Sequence, residues 1–288
     1  MWIFITGGSG LVGRHVIPLL RERGNEVLCL SRDPGRARAV LPTDVEVLGG
    51  DPGLPGDWQD RLASCDGVVN LAGASVAEGR WTGGRKQVLR RSRLAATGNV
   101  AQAMAESGRP AVLVNASAVG YYGGRGDEAL DEKAEPGQDF LARLALEWEH
   151  TALKAEREGV RVILLRIGVV LAREGGALPE MIRPFRVGLG GPLGSGRQYL
   201  PWIHVTDLVR AIHFALLEPS LAGPVNAAVP DPPRQADFAE ALGQALSKPA
   251  RLPAPAFALR MLLGEKADLL LKGQRAVPNA LKAAGFRF

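Results

Sequence analysis

The stretch that most restricts this chain is Thr6-Gly7-Gly8-Ser9-Gly10-Leu11-Val12-Gly13-Arg14, directly behind the apolar run Trp2-Ile3-Phe4-Ile5. An apolar run, a glycine-dense turn and then Val16, Ile17, Leu19 and Leu20 at helical spacing read as strand, tight loop and helix. Gly7, Gly10 and Gly13 stand at a Gly-x-x-Gly-x-x-Gly spacing. That spacing serves three demands: a tight turn, close approach of backbone to a bound group, and close packing of helix on strand. It also aims backbone N–H groups and a helix N-terminus at an anion. A plain structural turn is the alternative reading, since glycine is common in any chain. The setting between a buried strand and a helix favours a phosphate cradle.

When a dinucleotide pyrophosphate lies on such a loop, the adenosine ribose falls at the tip of the second strand. Here that strand is Glu26-Val27-Leu28-Cys29-Leu30, followed by Ser31, Arg32, Asp33 and Pro34. An acidic residue at the tip accepts from the ribose 2′-OH and favours NAD(H), whereas Arg or a small polar group accommodates a 2′-phosphate. Ser31 and Arg32 hold the tip, so NADP(H) is favoured over NAD(H), with Arg32 pairing the phosphate. A solvated loop arginine is the bland alternative, and Asp33, one residue on, keeps NAD(H) open.

Strand and helix signals then alternate. Val45 to Leu48 reads as a third strand leading into Gly49-Gly50-Asp51, where Asp51 is either an adenine-edge contact or a turn aspartate. Gly67 to Leu71 is a fourth strand that runs into Ala72-Gly73, small residues that let a ligand cross the sheet end. A long helix follows from Trp81 to Met104, with a basic start from Arg85 to Arg93. Such a run is ordinarily a solvated face; Arg93 turned inward would reach a cofactor phosphate. Ala111 to Ser117 is a fifth strand. Ser117 at its tip and the tyrosines after it offer hydrogen-bond donors beside a nicotinamide, or else simply cap the strand. The acidic segment from Asp127 to Asp139 reads as surface, Phe140 to Arg157 as helix, and Val160 to Val170 as another buried strand. The expectation is an α/β fold, a doubly wound parallel sheet over residues 1–170, with its ligand outside the carboxyl ends of the strands.

After Leu171 the texture changes. Glycine and proline crowd the stretch from Gly188 to Gly196, which reads as a lid or substrate wall. Trp202 to Val205 reads as a strand, and Thr206-Asp207 as the cap of a helix from Leu208 to Leu217 that returns to the first domain. The remainder of residues 171–288 reads as substrate-side segments and a small, mostly helical C-terminal lobe. His204 reads as a packed strand histidine rather than a base, and His15, His150 and His213 as structural.

Bulk properties narrow the class. The 288 residues are 46% apolar and 23% charged with a net charge of +5, a globular composition. Basic residues lie scattered among acids without aromatic interleaving, which argues against a nucleic-acid surface. No run is long enough to span a bilayer, and the N-terminus enters a strand without a basic leader, so no membrane partner is expected. Cys29 and Cys65 have no metal-like spacing and read as free thiols of a cytoplasmic protein. No metal site is expected. A monomer or homodimer acting on a small molecule is consistent with all of this.

These signatures together resemble the extended short-chain dehydrogenase/reductase superfamily. They are the glycine loop, Asn70-Leu71-Ala72-Gly73, Ser117 with Tyr122-Gly123, and His204-Val205-Thr206-Asp207-Leu208. Leu189 to Gly196 with Pro201-Trp202-Ile203-His204, Gly273-Gln274-Arg275 and Gly285-Phe286 narrow the likeness to its atypical "epimerase family" branch, related to NAD-dependent nucleotide-sugar epimerases and dehydratases. The resemblance implies a Rossmann-type fold binding NADP(H). Cofactor contacts are then expected on Gly7, Ser9, Gly10, Leu11, Val12 and Gly13, on Ser31 and Arg32, on Leu71, Ala72 and Gly73, and on Arg93 and Val170.

One departure bears on chemistry. The superfamily places a Tyr-x-x-x-Lys on the helix after the serine strand, the tyrosine moving the proton and the lysine lowering its pKa. Here that helix reads Asp139-Phe140-Leu141-Ala142-Arg143-Leu144-Ala145-Leu146-Glu147-Trp148-Glu149 and contains no such pair in any register. A phenol titrates near pH 10, so Tyr121 or Tyr122 would need a neighbouring cation to act as base. Ser117 with Tyr122 is the substitute catalytic pair expected. The functional expectation is an NADP(H)-binding oxidoreductase or epimerase-like protein acting on a small hydroxyl or carbonyl substrate. The alternative is a non-catalytic NADP(H) sensor or regulator.

Overall fold

The computed structural model describes residues 1–107, 109–157 and 159–288, and an inner strand of its main sheet is β1 (Trp2–Thr6). Ile3 and Ile5 enter the core on one face of the sheet and Phe4 the core on the other, all three without exposure. A strand buried on both faces belongs to a parallel sheet covered by helices. The first half alternates: α1 (Leu11–Glu22), β2 (Glu26–Ser31), α2 (Pro34–Val40), β3 (Glu46–Gly49), α3 (Trp58–Ala63), β4 (Gly67–Asn70), α4 (Gly83–Ser107) and β5 (Val112–Ala118). A short β6 (Ala129–Leu130) precedes α5 (Phe140–Ala152) and β7 (Arg161–Ile167). The second half holds β8 (Val169–Ala172), β9 (Gly175–Gly176), α6 (Ala177–Arg186), β10 (Trp202–His204), α7 (Val205–Leu217) and β11 (Gly223–Ala227). It closes with α8 (Gln235–Ala245), α9 (Ala256–Leu263), α10 (Asp268–Leu271), β12 (Arg275–Ala276) and α11 (Asn279–Ala283).

The main sheet has seven parallel strands in the order β11-β7-β5-β4-β1-β2-β3. The chain winds outward through β2 and β3, then returns to the other side of β1 at β4, so the order reverses between β1 and β4. In open α/β sheets that reversal opens a crevice at the carboxyl ends. The two cores divide by alternation along the strands: α1 and α7 pack on the Ile3 side, and α3 and α4 on the Phe4 side.

Three features differ from the sequence reading. The expected strand from Val160 to Val170 is two strands. Gly168 hydrogen-bonds Ala227 on one sheet while Val169 bonds Pro201, and β8 then pairs with β10 and β9 in a separate three-stranded sheet. A side chain at Gly168 would meet the Pro201 carbonyl at 2.4 Å, so only glycine permits the crossing. The outer strand β11 carries a glycine and a proline that conceal it in sequence; at a sheet edge Pro224 is tolerated. Helix α7 begins at Val205, and its cap is His204, whose Nδ1 accepts the Thr206 N–H at 3.2 Å. Asp207 pairs instead with Arg210.

The glycine loop is packed too closely for side chains. Gly7 has φ +70°, and a Cβ there would lie 2.8 Å from the Leu71 carbonyl beyond β4. A Cβ on Gly13 would meet the Gly8 carbonyl at 2.3 Å, and one on Gly8 the Cys29 sulfur at 2.4 Å. Gly8, which the spacing does not single out, is thus as closely packed as Gly7 and Gly13, and more so than Gly10, whose nearest neighbour is the Gly7 carbonyl at 3.1 Å. Gly13→Ala is expected to lower stability by about 1–3 kcal/mol in urea unfolding, as overpacking does. Gly84→Ala, in a helical turn with nothing within 4 Å, is expected to leave stability unchanged or raise it.

Candidate dinucleotide-binding site

The crevice between the tips of β1 and β4 is walled by the glycine loop. Gly10 N–H donates to the Gly7 carbonyl at 3.0 Å, closing the turn, and no side chain caps α1. Its first-turn amides, from Leu11 onward, therefore lack a side-chain acceptor, which suits an anion. Val170 on β8 stands at the mouth of this turn, because Gly176 of the adjoining strand packs against Leu11, 2.7 Å from its Cδ2 to a Cβ position.

At the β2 tip the polar groups sort themselves. Ser31 Oγ donates to the Asp33 carbonyl and accepts the Asp33 N–H, at 3.0 and 3.2 Å. The Asp33 carboxylate accepts the Arg36 N–H at 2.9 Å as the N-cap of α2, with Pro34 in the first turn. Arg32 is exposed, and no carboxylate pairs with it among the described residues. Gly50 N–H donates to the Ser31 carbonyl and so brings Asp51 beside the same tip; Asp51 accepts the Gly53 N–H at 2.8 Å. Arg32 thus has no carboxylate partner among the described residues, while Asp33, the nearest acid, is engaged.

Across the crevice, Ala72 N–H reaches Thr6 Oγ1 at 3.3 Å, and Arg93 covers Gly73, its guanidinium carbon 3.2 Å from a Cβ position there. Arg93 is half-buried, donates to the Leu89 carbonyl at 3.1 Å and lies 5.0 Å from the centre of the Trp148 ring. Burial, and then repulsion from Arg85, push its pKa down to about 10. A desolvated cation with no carboxylate at hand favours an incoming anion. The structure thus gathers Gly7 to Gly13, Leu71 to Gly73, Arg93 and Val170 around one crevice, with Ser31, Arg32 and Asp51 at the β2 tip.

Behind the crevice lie two buried polar networks. In the first, Thr6 donates to Asn70 at 2.5 Å, Asn70 donates to Asn115 and Thr97, and Trp148 Nε1 donates to Thr97 at 2.8 Å. In the second, Arg166 grips Glu149 through Nε and Nη2 at 2.9 and 2.8 Å. Ser117 Oγ donates to the same carboxylate at 2.6 Å. Tyr122 accepts from Arg166 Nη1 at 3.0 Å and donates to Asn226 at 2.7 Å. Burial opposes the Arg166 charge, yet the bonds to Glu149 prevail and hold its pKa raised. Burial pushes the Tyr122 phenol up to about 12 despite Arg166.

This geometry alters the standing of Ser117 and Tyr122 as a catalytic pair. The cation that a tyrosine base requires is present, but it is neutralised by Glu149, and Tyr122 is wholly buried with both hydrogen-bonding capacities filled. Proton transfer to a substrate in the crevice would need this network to open. The sequence reading missed Glu149, Arg166 and Asn226. The available signal was an arginine inside the apolar run Val162-Ile163-Leu164-Leu165-Arg166-Ile167, which demands a buried acid.

Beside the C-terminal lobe, a cleft of about 570 Å³ lies against the first turns of α4 and α5, lined by Lys86, Phe140, Arg143, Leu144, Glu265 and Asp268. Among the described residues no group of three His, Cys, Asp or Glu side chains is placed to share a metal ion.

Fold and crevice together define a Rossmann-type dinucleotide-binding protein of the extended short-chain class. The profile of the NAD dependent epimerase/dehydratase family matches residues 3–228, and that of a domain of unknown function, DUF1731, residues 254–288. The chain belongs to the NAD-dependent epimerase/dehydratase family. It is 45% identical to epimerase family protein MT2273 of Mycobacterium tuberculosis, over 99% of this chain and 93% of that protein. With the chloroplastic epimerase family protein SDR39U1 homolog of Arabidopsis thaliana it shares 41% identity, over 100% and 83% of the two chains. The crystal structure of human epimerase family protein SDR39U1 with NADPH superposes with a TM-score of 0.88 at 33% identity, covering 100% of this chain and 95% of that one.

Leaving a buried charge unpaired is strongly destabilising. Glu149→Gln is expected to lower stability by about 3–5 kcal/mol. Tyr122→Phe, which strands the Asn226 acceptor and one Arg166 N–H, is expected to lower it by about 1–3 kcal/mol. Urea unfolding followed by tryptophan fluorescence measures both.

Proposed function

We propose that this protein binds NADP(H) in preference to NAD(H), with the pyrophosphate on the glycine loop and the 2′-phosphate on Arg32. The observation that carries the reading is the division of labour at the β2 tip: Asp33, the group that would favour NAD(H), caps α2, while Arg32 stands free. The NADPH held by human SDR39U1 supports the same choice. Arg93 and the Leu71–Gly73 backbone line the nicotinamide half, and the narrow approach at Gly7 and Gly13 admits a backbone-bound phosphate.

The bound cofactor supplies or accepts hydride, and the protein's part is to orient it against a small hydroxyl or carbonyl substrate. An oxidoreductase or epimerase-like reaction at this crevice draws its proton from a group other than Tyr122 as that residue stands here. The filled network around Ser117 and Tyr122 is the specific observation that favours a second reading, a sensor or regulator that holds NADP(H) without turnover.

Calorimetric titration checks the cofactor. NADPH is expected to bind more tightly than NADH, and Arg32→Glu to weaken NADPH about 10- to 100-fold, the worth of a charge-assisted phosphate bond, with little effect on NADH. Tight NADH binding with negligible NADPH binding sinks the proposal. Oxidation of NADPH with a panel of aldehydes and ketones then separates enzyme from sensor. Turnover supports the enzyme; tight binding with no turnover on any member supports the sensor.

A further inference from the structure

We propose that the edge formed by the loop after α6 and by α9 docks on an anionic lipid surface. Two stretches build this edge. From Met181 to Thr206, and again from Ala241 to Gly264, the chain holds no Asp or Glu. The fold lays them side by side: Leu252 N–H donates to the Gly190 carbonyl, Ala254 N–H to Pro192, and Gly194 N–H back to Ala254. Charges that look dispersed along the sequence thereby become an edge without carboxylates of its own.

That edge also collects exposed apolar side chains. Of the eleven large hydrophobic residues exposed among the described residues, six stand here: Val187, Leu189, Leu252, Phe257, Met261 and Leu262. Phe257, Met261 and Leu262 are 72, 76 and 71% exposed, and α9 contributes no fully buried residue. Apolar surface gathered in one place marks an interaction site, whereas single exposed residues do not. Arg186, Arg251 and Arg260 lie among these residues, exposed and without a carboxylate partner among the described residues.

The chemistry selects the occupant. A second copy would bring one carboxylate-free basic edge against another. A nucleic acid answers the arginines and leaves the apolar side chains in water. Side chains that protrude singly suit a deformable layer better than a rigid pocket. The boundary between headgroups and acyl chains takes up Phe, Leu and Met while anionic headgroups pair with Arg. No helix among the described residues is long and apolar enough to cross a membrane, so the contact is a surface one. The sequence reading expected no membrane partner because it looked for a span; the edge exists only once the two stretches are side by side. Arg80 Nη2 and Lys266 Nζ tie α9 and its following turn to the loop leaving β4, through the carbonyls of Met261 and Ala77 at 3.4 and 2.9 Å.

Flotation of the full-length protein with vesicles tests this. With phosphatidylcholine vesicles containing phosphatidylglycerol at low salt, the protein is expected to float; with phosphatidylcholine alone, or at high salt, recovery is expected to fall about tenfold. The double variants Phe257→Ser with Met261→Ser, and Arg251→Gln with Arg260→Gln, are each expected to lose about tenfold in recovery while keeping the parent's melting temperature and NADPH affinity. Absence of flotation with the anionic vesicles overturns the proposal, as does undiminished flotation of both variants. A dimer in sedimentation equilibrium that Phe257→Ser with Met261→Ser splits into monomers, without vesicle binding, assigns the edge to a second copy and equally overturns it.

Discussion

The ion pair between Glu149 and Arg166, with side chains only 4 and 2% exposed, is the constraint around which this half of the molecule is arranged. Removing two charges from water is unfavourable unless every donor and acceptor finds a partner. Here Nε and Nη2 meet the carboxylate, Nη1 meets Tyr122 and the Glu132 carbonyl, and the Tyr121 ring covers the guanidinium at 3.5 Å. Those partners come from the turn after β5, α5 and the segment after β6. Satisfying one arginine fixes the positions of three parts of the chain.

That demand explains how the chain presents its conspicuous hydroxyls to its own interior. Ser117 and Tyr122 complete the shell of a buried pair, so their oxygens face protein groups rather than the crevice. Holding a dinucleotide requires none of this. The proposed contacts lie elsewhere, on a backbone turn, an uncapped helix and two arginines without a carboxylate partner among the described residues. The proposed binding surface and the buried Ser117–Tyr122 network are therefore built from different residues.

Much of the fold was legible in the sequence because its signals are local. The glycine loop and the alternation of apolar runs with helical spacing follow from residues within single strand–loop–helix units, whereas the switch point between β1 and β4 emerges only from the strand order. The fate of Asp33 was also within reach, since an aspartate before Pro34 is a helix start. What the sequence concealed depends on partners far apart: β11 reads as a turn until β7 offers it an edge, and Asn226 meets Tyr122 only after 104 residues. Gly8 is constrained by Cys29 on a neighbouring strand, and Gly168 by Pro201, contacts that no local pattern announces. The three-stranded β8-β9-β10 sheet was missed for the same reason.

The long reach of the second network bears on how the chain is made. Glu132 accepts from the N–H of Asn226 and from that of Ala280, at 3.1 Å each. During vectorial synthesis, the cradle from β1 to β4 is complete by residue 70, whereas β7 waits for its outer neighbour until Ala227 and Glu132 for its second amide until Ala280. A growing chain thus passes through a stage in which the dinucleotide loop is formed while a parallel edge and a half-satisfied charge stand open behind it. Unpaired edges are where nascent chains mispair. The last elements of this chain therefore act as a latch, closing from behind a sheet whose glycine loop was finished first.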